Sequence, residues 1–214
     1  MPVLNAVTVA NMALAKIGIG QKIEELTNER GDTEREANFW YPICRDRLLE
    51  AFTWQHASNQ IALGLVEEDP NDDWAYAYRM PTECLVARRL VSGLGTAESV
   101  WIPFQLGQDS QGTLIYTDQE DAVLEGTFTL NDASRFTNMF GNALAWVMAA
   151  EMAMPLSVDS GKRAEAEQGA MRAMREAQAV SNQNRRMKPQ PASVFVSYRG
   201  NGIPTGLDSL RSQL

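Results

Sequence analysis

From Ser58 to about Gly126 the apolar residues of this chain alternate, whereas on either side they recur at steps of three and four. No single element satisfies both a period of 2 and a period of 3.6, so the chain must pass from helix into sheet and back again. The alternating runs are Trp74–Tyr78, Cys84–Val91, Val100–Phe104, Thr113–Tyr116 and Ala122–Leu130. Between them lie turn-forming clusters at Glu67–Asp73 and Gly107–Gly112. Short strands at this spacing predict a small antiparallel sheet, sandwich or barrel.

The flanks read as helices. Thr8 to Ile17 is the first, with Thr8 as its cap and Gly18 as its stop. The second starts at Asp32 or Thr33, runs to about Phe52 and carries Ala37, Trp40 or Tyr41, Cys44, Leu48 and Phe52 along one face. Pro42 lies inside it and removes one backbone donor, which predicts a kink near Asn38 or a break into two segments. Asn131 or Asp132 caps a third helix that is apolar on nearly all sides, and therefore central. A fourth runs from about Gly161 to Asn184 and is rich in Ala, whose small side chain permits close helix–helix approach.

The expected class is α+β: a helical bundle with an inserted small antiparallel β domain and an extended C-terminal tail. Residues 1–57 and 131–186 supply the helical body, 58–130 the insert and 187–214 the tail. The tail holds the basic stretch Arg185–Lys188, a strand-like run Val194–Tyr198 and a terminal helical turn, Leu207–Leu214. It has too little apolar surface to order except against a partner.

Charge narrows the functions. The net charge of −8 disfavours a protein that wraps nucleic acid. The charge is also unevenly spread: residues 62–125 carry a balance of −9 and residues 161–188 one of +4, which suggests two surfaces with different tasks. Arg172, Arg175, Arg185, Arg186 and Lys188 lie in a stretch without aromatics, so a base-stacking platform is not expected. No run of 18 apolar residues marks a membrane span, and the N-terminus lacks a signal-peptide pattern, so folding in a cytoplasm is expected.

Catalytic signatures do not emerge. The single histidine, His56, and two scattered cysteines, Cys44 and Cys84, do not have zinc-site spacing, and the cysteines read as small buried hydrophobes. Gly18–Gly20 follows a helix rather than a strand and is no phosphate loop. Two carboxylate pairs, Asp72 with Asp73 and Asp118 with Asp121, have the composition of a glycosidase or metal site but lie in turn-rich stretches where acids are usually solvated. No cofactor and no metal is expected.

Three groups of residues carry a resemblance. They are Asn11, Ala13, Leu14, Ile17 and Gly18; then Trp40, Tyr41, Pro42, Arg45, Asp46, Leu48, Leu49 and Trp54; then Trp74, Tyr76, Ala77, Tyr78, Pro81, Cys84 and Leu85. Together they resemble the tail tubular protein A family of short-tailed bacteriophages, the head-to-tail adaptors, across most of residues 5–185. The resemblance implies a non-enzymatic virion protein at the head–tail junction, assembled in the host cytoplasm. It implies a ring of about twelve copies beneath the portal protein, each copy using unlike patches toward its two neighbours. That ring would continue the channel for double-stranded DNA and receive a nozzle protein of the tail tubular protein B type. Trp40, Tyr41, Trp54, Trp74 and Tyr76 are then expected to form one core joining helices to sheet, with Pro42, Tyr78 and Pro81 as scaffold and Arg45–Asp46 as a local ion pair or cap. Protein contacts are expected at Arg172, Arg175, Arg185, Arg186, Lys188, Phe195, Tyr198 and Arg199. The competing readings are a tail-associated glycan hydrolase built on the aspartates and a nucleic-acid-binding protein using the Arg172–Lys188 stretch.

Overall fold

The computed structural model describes residues 4–27, 31–92 and 102–183. The tail expectations, with Arg185, Arg186, Lys188, Phe195, Tyr198 and Arg199, lie outside the described residues. Four α-helices (α1 Ala6–Lys16, α2 Asp32–Glu50, α3 Asn138–Met152, α4 Ser160–Gln183) flank seven strands. The strands are β1 Ser58–Ala62, β2 Gly64–Asn71, β3 Trp74–Arg79, β4 Cys84–Ser92, β5 Gln105–Asp109, β6 Gly112–Thr117 and β7 Ala122–Phe128.

The strands build two antiparallel sheets, one ordered β1-β7-β4 and the other β2-β3-β6-β5. Tyr78 and Ile115 from the second sheet meet Leu90, Leu124 and Phe128 from the first in an apolar cluster of their own. This corrects the expected helical bundle with a small β insert: the molecule is a β-sandwich-like α+β protein with two cores. The β part was under-read because β1, β2 and β5 are edge strands and mostly polar. β2 runs straight through Glu67–Asp69 within the stretch expected as a turn, and its register shifts between Leu65 and Glu67 and again between Glu68 and Asn71. Such bulges and charges guard an edge against pairing with another chain, and they also erase the alternation that marks a strand. Of the strand expected at Val100–Phe104, Val100 and Trp101 lie outside the described residues; Ile102 contributes a single bridge to Leu90, and β5 begins at Gln105.

The second core is helical. α3 packs against α1, α2 and α4, and Phe140, Leu144, Met148 and Met152 are fully buried along it. Thr137 caps it through an Oγ1 that accepts from Phe140 N, and Asp132 instead caps a short 3₁₀ turn, Ala133–Arg135. α1 likewise starts earlier than expected, because Asn5 Oδ1 accepts from Thr8 N at 2.7 Å. α2 continues through Pro42 as one helix. Buried Ala37 and Tyr41 before the proline, and Cys44, Leu48 and Leu49 after it, anchor both halves to the same core. That burial offsets the lost backbone bond.

α4 meets α3 through a stripe of small residues, Ala166, Gly169, Ala173 and Ala177. Gly169 is where the helices touch most closely: a Cβ there would lie 2.5 Å from Trp146 Cε3. Lys16 Nζ also lies over the Trp146 ring, at 4.2 Å from its centre. Trp146 therefore meets both the cation of α1 and the bare backbone of α4.

Candidate functional site

The motif residues divide between the two cores rather than forming one. In the helical core, Trp54 is buried, donates from Nε1 to Leu48 O at 2.7 Å, and meets Phe52 and Phe140 edge-on at 5.0 Å. Trp40 is half-buried, donates to Glu36 Oε2 and lies edge-on to Phe39. Tyr41 is buried, and its hydroxyl has no partner among the described residues. Desolvation raises its pKa first of all, with Arg45 acting the other way. Asn11 clamps the loop after α1 with two bonds to Ile23, both 2.9 Å.

The sandwich holds the remainder. Tyr78 is buried and donates its hydroxyl proton to Gln119 O at 3.0 Å, while Tyr76 packs at the margin of the same cluster. Trp74 reaches from β3 to Gln105 Oε1 on β5, bracing one end of the sheet across β6. Pro81 O accepts from Cys84 N and shapes the turn into β4.

The expected aromatic junction between helices and sheet is thus corrected: the junction is polar. Arg88 on β4 donates from Nη2 to Glu50 O at 2.7 Å, at the end of α2, and from Nε to Thr127 Oγ1 at 3.0 Å. Thr127 is fully buried. Arg45 is also buried; it holds Asp46 through two bonds of 2.8 and 3.0 Å and donates from Nη1 to Asn131 Oδ1 at 2.8 Å. The local Arg45–Asp46 pair is therefore present, and Arg45 additionally pins α2 to the segment leaving β7. Leu85 is the apolar member of the joint, packed on the helical core from β4. Sequence reasoning placed Arg88 and Thr127 in strands and Asn131 at a helix cap, but not their role in this joint, because their partners are distant in sequence.

The carboxylates gather at one end of the sandwich, where the β2–β3 turn and the β6–β7 connection adjoin. Asp118 Oδ1 accepts from Ala75 N, which brings it beside the turn that holds Asp72 and Asp73. The negative charge of Glu120, followed by desolvation and then Glu68, Asp69 and Asp121, raises the pKa of Tyr76. Among the described residues no three His, Cys, Asp or Glu side chains are grouped to hold a metal ion. Elsewhere on this sheet Arg79 holds Asp109 by two bonds of 2.7 Å, which keeps that carboxyl well below the usual carboxylate range.

His56 lies against Trp54, Phe136 and Phe140, and its Nε2 is buried without a partner among the described residues. Desolvation, with a smaller push from Arg135, lowers its pKa to about 4. Cys44 and Cys84 are buried free thiols, and desolvation pushes them up to about 12 and about 11. They remain protonated and unreactive at neutral pH. Arg172 and Arg175 are exposed on α4, on the side away from α3.

No protein-family model matches the chain, and no curated protein matches it. Among the described residues, no helix is long and apolar enough to cross a membrane.

Proposed function

We propose that the chain is a structural subunit of a head-to-tail adaptor ring of the tail tubular protein A type. The observation that best supports this reading is the use made of the motif side chains. Arg45, Asp46, Trp54 and Tyr78 spend their polar groups on internal bonds that hold helices, loops and strands together. A motif that marks a reaction would instead converge on a cleft with unspent donors and acceptors.

What remains outward is chemically uneven. One end of the sandwich is acidic, and α4 exposes Arg172 and Arg175 on a different layer. A closed ring needs such unlike patches, because each copy meets its two neighbours through different surfaces. An acidic lining also lets duplex DNA slide past without being gripped.

The test is mass measurement of the chain alone and with the portal protein of the same phage, for full-length protein and for a chain ending before Lys188. The expected result is a ring of about twelve copies on the portal, with weaker docking by the shortened chain. Failure of the full-length chain to associate with portal would overturn the reading. Turnover of bacterial glycans lost on Asp118→Asn would favour the hydrolase instead.

A further inference from the structure

A cleft of about 740 Å³ opens between α2, the end of α3 and the start of α4. Phe39, Trp40, Met154 and Pro155 line it. Phe39 is 58% exposed and Met154 68%, which leaves two large apolar side chains beside each other in water. Leaving them so forfeits the burial energy such groups ordinarily gain.

The chain supplies a candidate to cover them. Beyond Gln183 its densest apolar run is Val194–Tyr198, in which only Ser197 is small and polar. The distances match. From Arg163, at the cleft, to Gln183 the helix α4 is about 30 Å long at 1.5 Å per residue. Val194 stands 11 residues past Gln183, with Pro189 and Pro191 between them. At the ~3.1 Å per residue of proline-rich chain, that connection reaches about 34 Å. A connection running back along α4 therefore brings Val194–Tyr198 to the cleft with little slack.

We propose that Val194–Tyr198 docks into the Phe39–Met154 cleft of its own chain, strapping α2, α3 and α4 together. Valine and aromatic side chains cover Phe39 and Met154, and the prolines limit the entropy lost on docking. The inference concerns the free subunit and does not require the adaptor reading.

Cross-linking of the full chain tests it. Met154→Cys is paired with Val196→Cys and treated with a short bis-maleimide; the native thiols of Cys44 and Cys84 are buried and protonated. The control pairs Val196→Cys with Gln168→Cys, an exposed position on α4 nearer the root of the tail, which an undocked tail would meet more often. Docking raises the local concentration at Met154, so its link is expected to form at least about tenfold faster than the control, within one chain and independently of protein concentration. Phe39→Ala, a change at an exposed side chain, should slow it severalfold. Equal rates for the two pairs, links between two chains, or no response to Phe39→Ala would each overturn the proposal.

Discussion

Acid should destabilise this protein through His56. In the folded chain its imidazole is pressed against Trp54, Phe136 and Phe140, with Nε2 buried and unpartnered among the described residues. Protonation would place a charge there with nothing to receive it, and Arg135 adds repulsion. The folded imidazole therefore takes a proton only near pH 4, whereas the unfolded one does so near 6.5. Between those values the unfolded chain binds more protons, so stability falls as pH falls. The contribution is fully present above about pH 6.5 and is lost as pH drops through 4. The full difference corresponds to at most about 3 kcal/mol; because the ring is only half-buried, solvent screening reduces it, and about 1 kcal/mol should be lost between pH 7 and about pH 4.5. That is a measurable fraction of the ~5–15 kcal/mol by which a domain is normally stable.

The assay is urea unfolding by far-ultraviolet circular dichroism across this pH range, for the natural chain and for His56→Phe. Phenylalanine fits the aromatic surroundings and cannot titrate. The carboxylates of Asp109 and Asp132, both held below their ordinary range by hydrogen bonds and nearby arginines, also weaken the fold in acid, but equally in the two proteins. The difference between the curves therefore isolates His56. It should grow by about 1 kcal/mol from pH 7 to about pH 4.5 in favour of the variant. Parallel curves over that interval would refute the reasoning.

The other substitutions probe the packing and the joint. Gly169→Ala drives a methyl into the Trp146 ring; overpacking of about 1–3 kcal/mol outweighs a helix-propensity gain of about 1 kcal/mol, so thermal unfolding should shift down by a few degrees. Trp54→Phe keeps the ring contacts but strands the Leu48 carbonyl, which should cost about 1–3 kcal/mol in denaturant unfolding. Arg45→Met removes the bonds to Asp46 and Asn131; because Asp46 retains some solvent contact, the loss should be about 2 kcal/mol rather than the larger cost of a wholly buried pair. Arg88→Ala cuts the bonds to Glu50 and Thr127, and hydrogen exchange should accelerate at the end of α2 and along β4 while α3 stays protected.

Legibility in the sequence followed burial. The central helix α3 could be read because Phe140, Leu144, Met148 and Met152 surround it with apolar groups. Strands β3, β4, β6 and β7 could be read because they carry the sandwich core in alternation. The polar edge strands β1, β2 and β5 escaped, because a strand that buries little writes little pattern, so the sandwich stayed one of three options and the β part was read as a small insert. At Pro42 the local rule favoured a kink near Asn38 or a break; the break is absent, because tertiary burial on both sides of the proline keeps the helix in one piece. The helix–sheet joint was invisible for another reason. Arg45 meets Asn131 across 86 positions and Arg88 meets Thr127 across 39, and no local spacing encodes such partners.

The polar character of that joint has a physical consequence for how a subunit of this kind would be used. The two cores are separate apolar clusters, so neither depends on the other for its own burial. Among the described residues, Leu85 packs on the helical core from β4, Arg88 bonds the end of α2, and Arg45 fixes α2 to the segment that leaves β7. Directional bonds fix orientation more strictly than an apolar contact does, because they are lost over short displacements. An apolar joint of equal strength would let the sandwich slide on the helices. With the arginine bonds in place, the acidic end of the sandwich and the arginine face of α4 are held at one defined offset. Equal offsets from copy to copy are what let a heterologous contact close into a ring instead of continuing as an open helix. If the proposed adaptor role holds, loss of Arg88 or Arg45 should scatter ring geometry before it lowers the stability of either core.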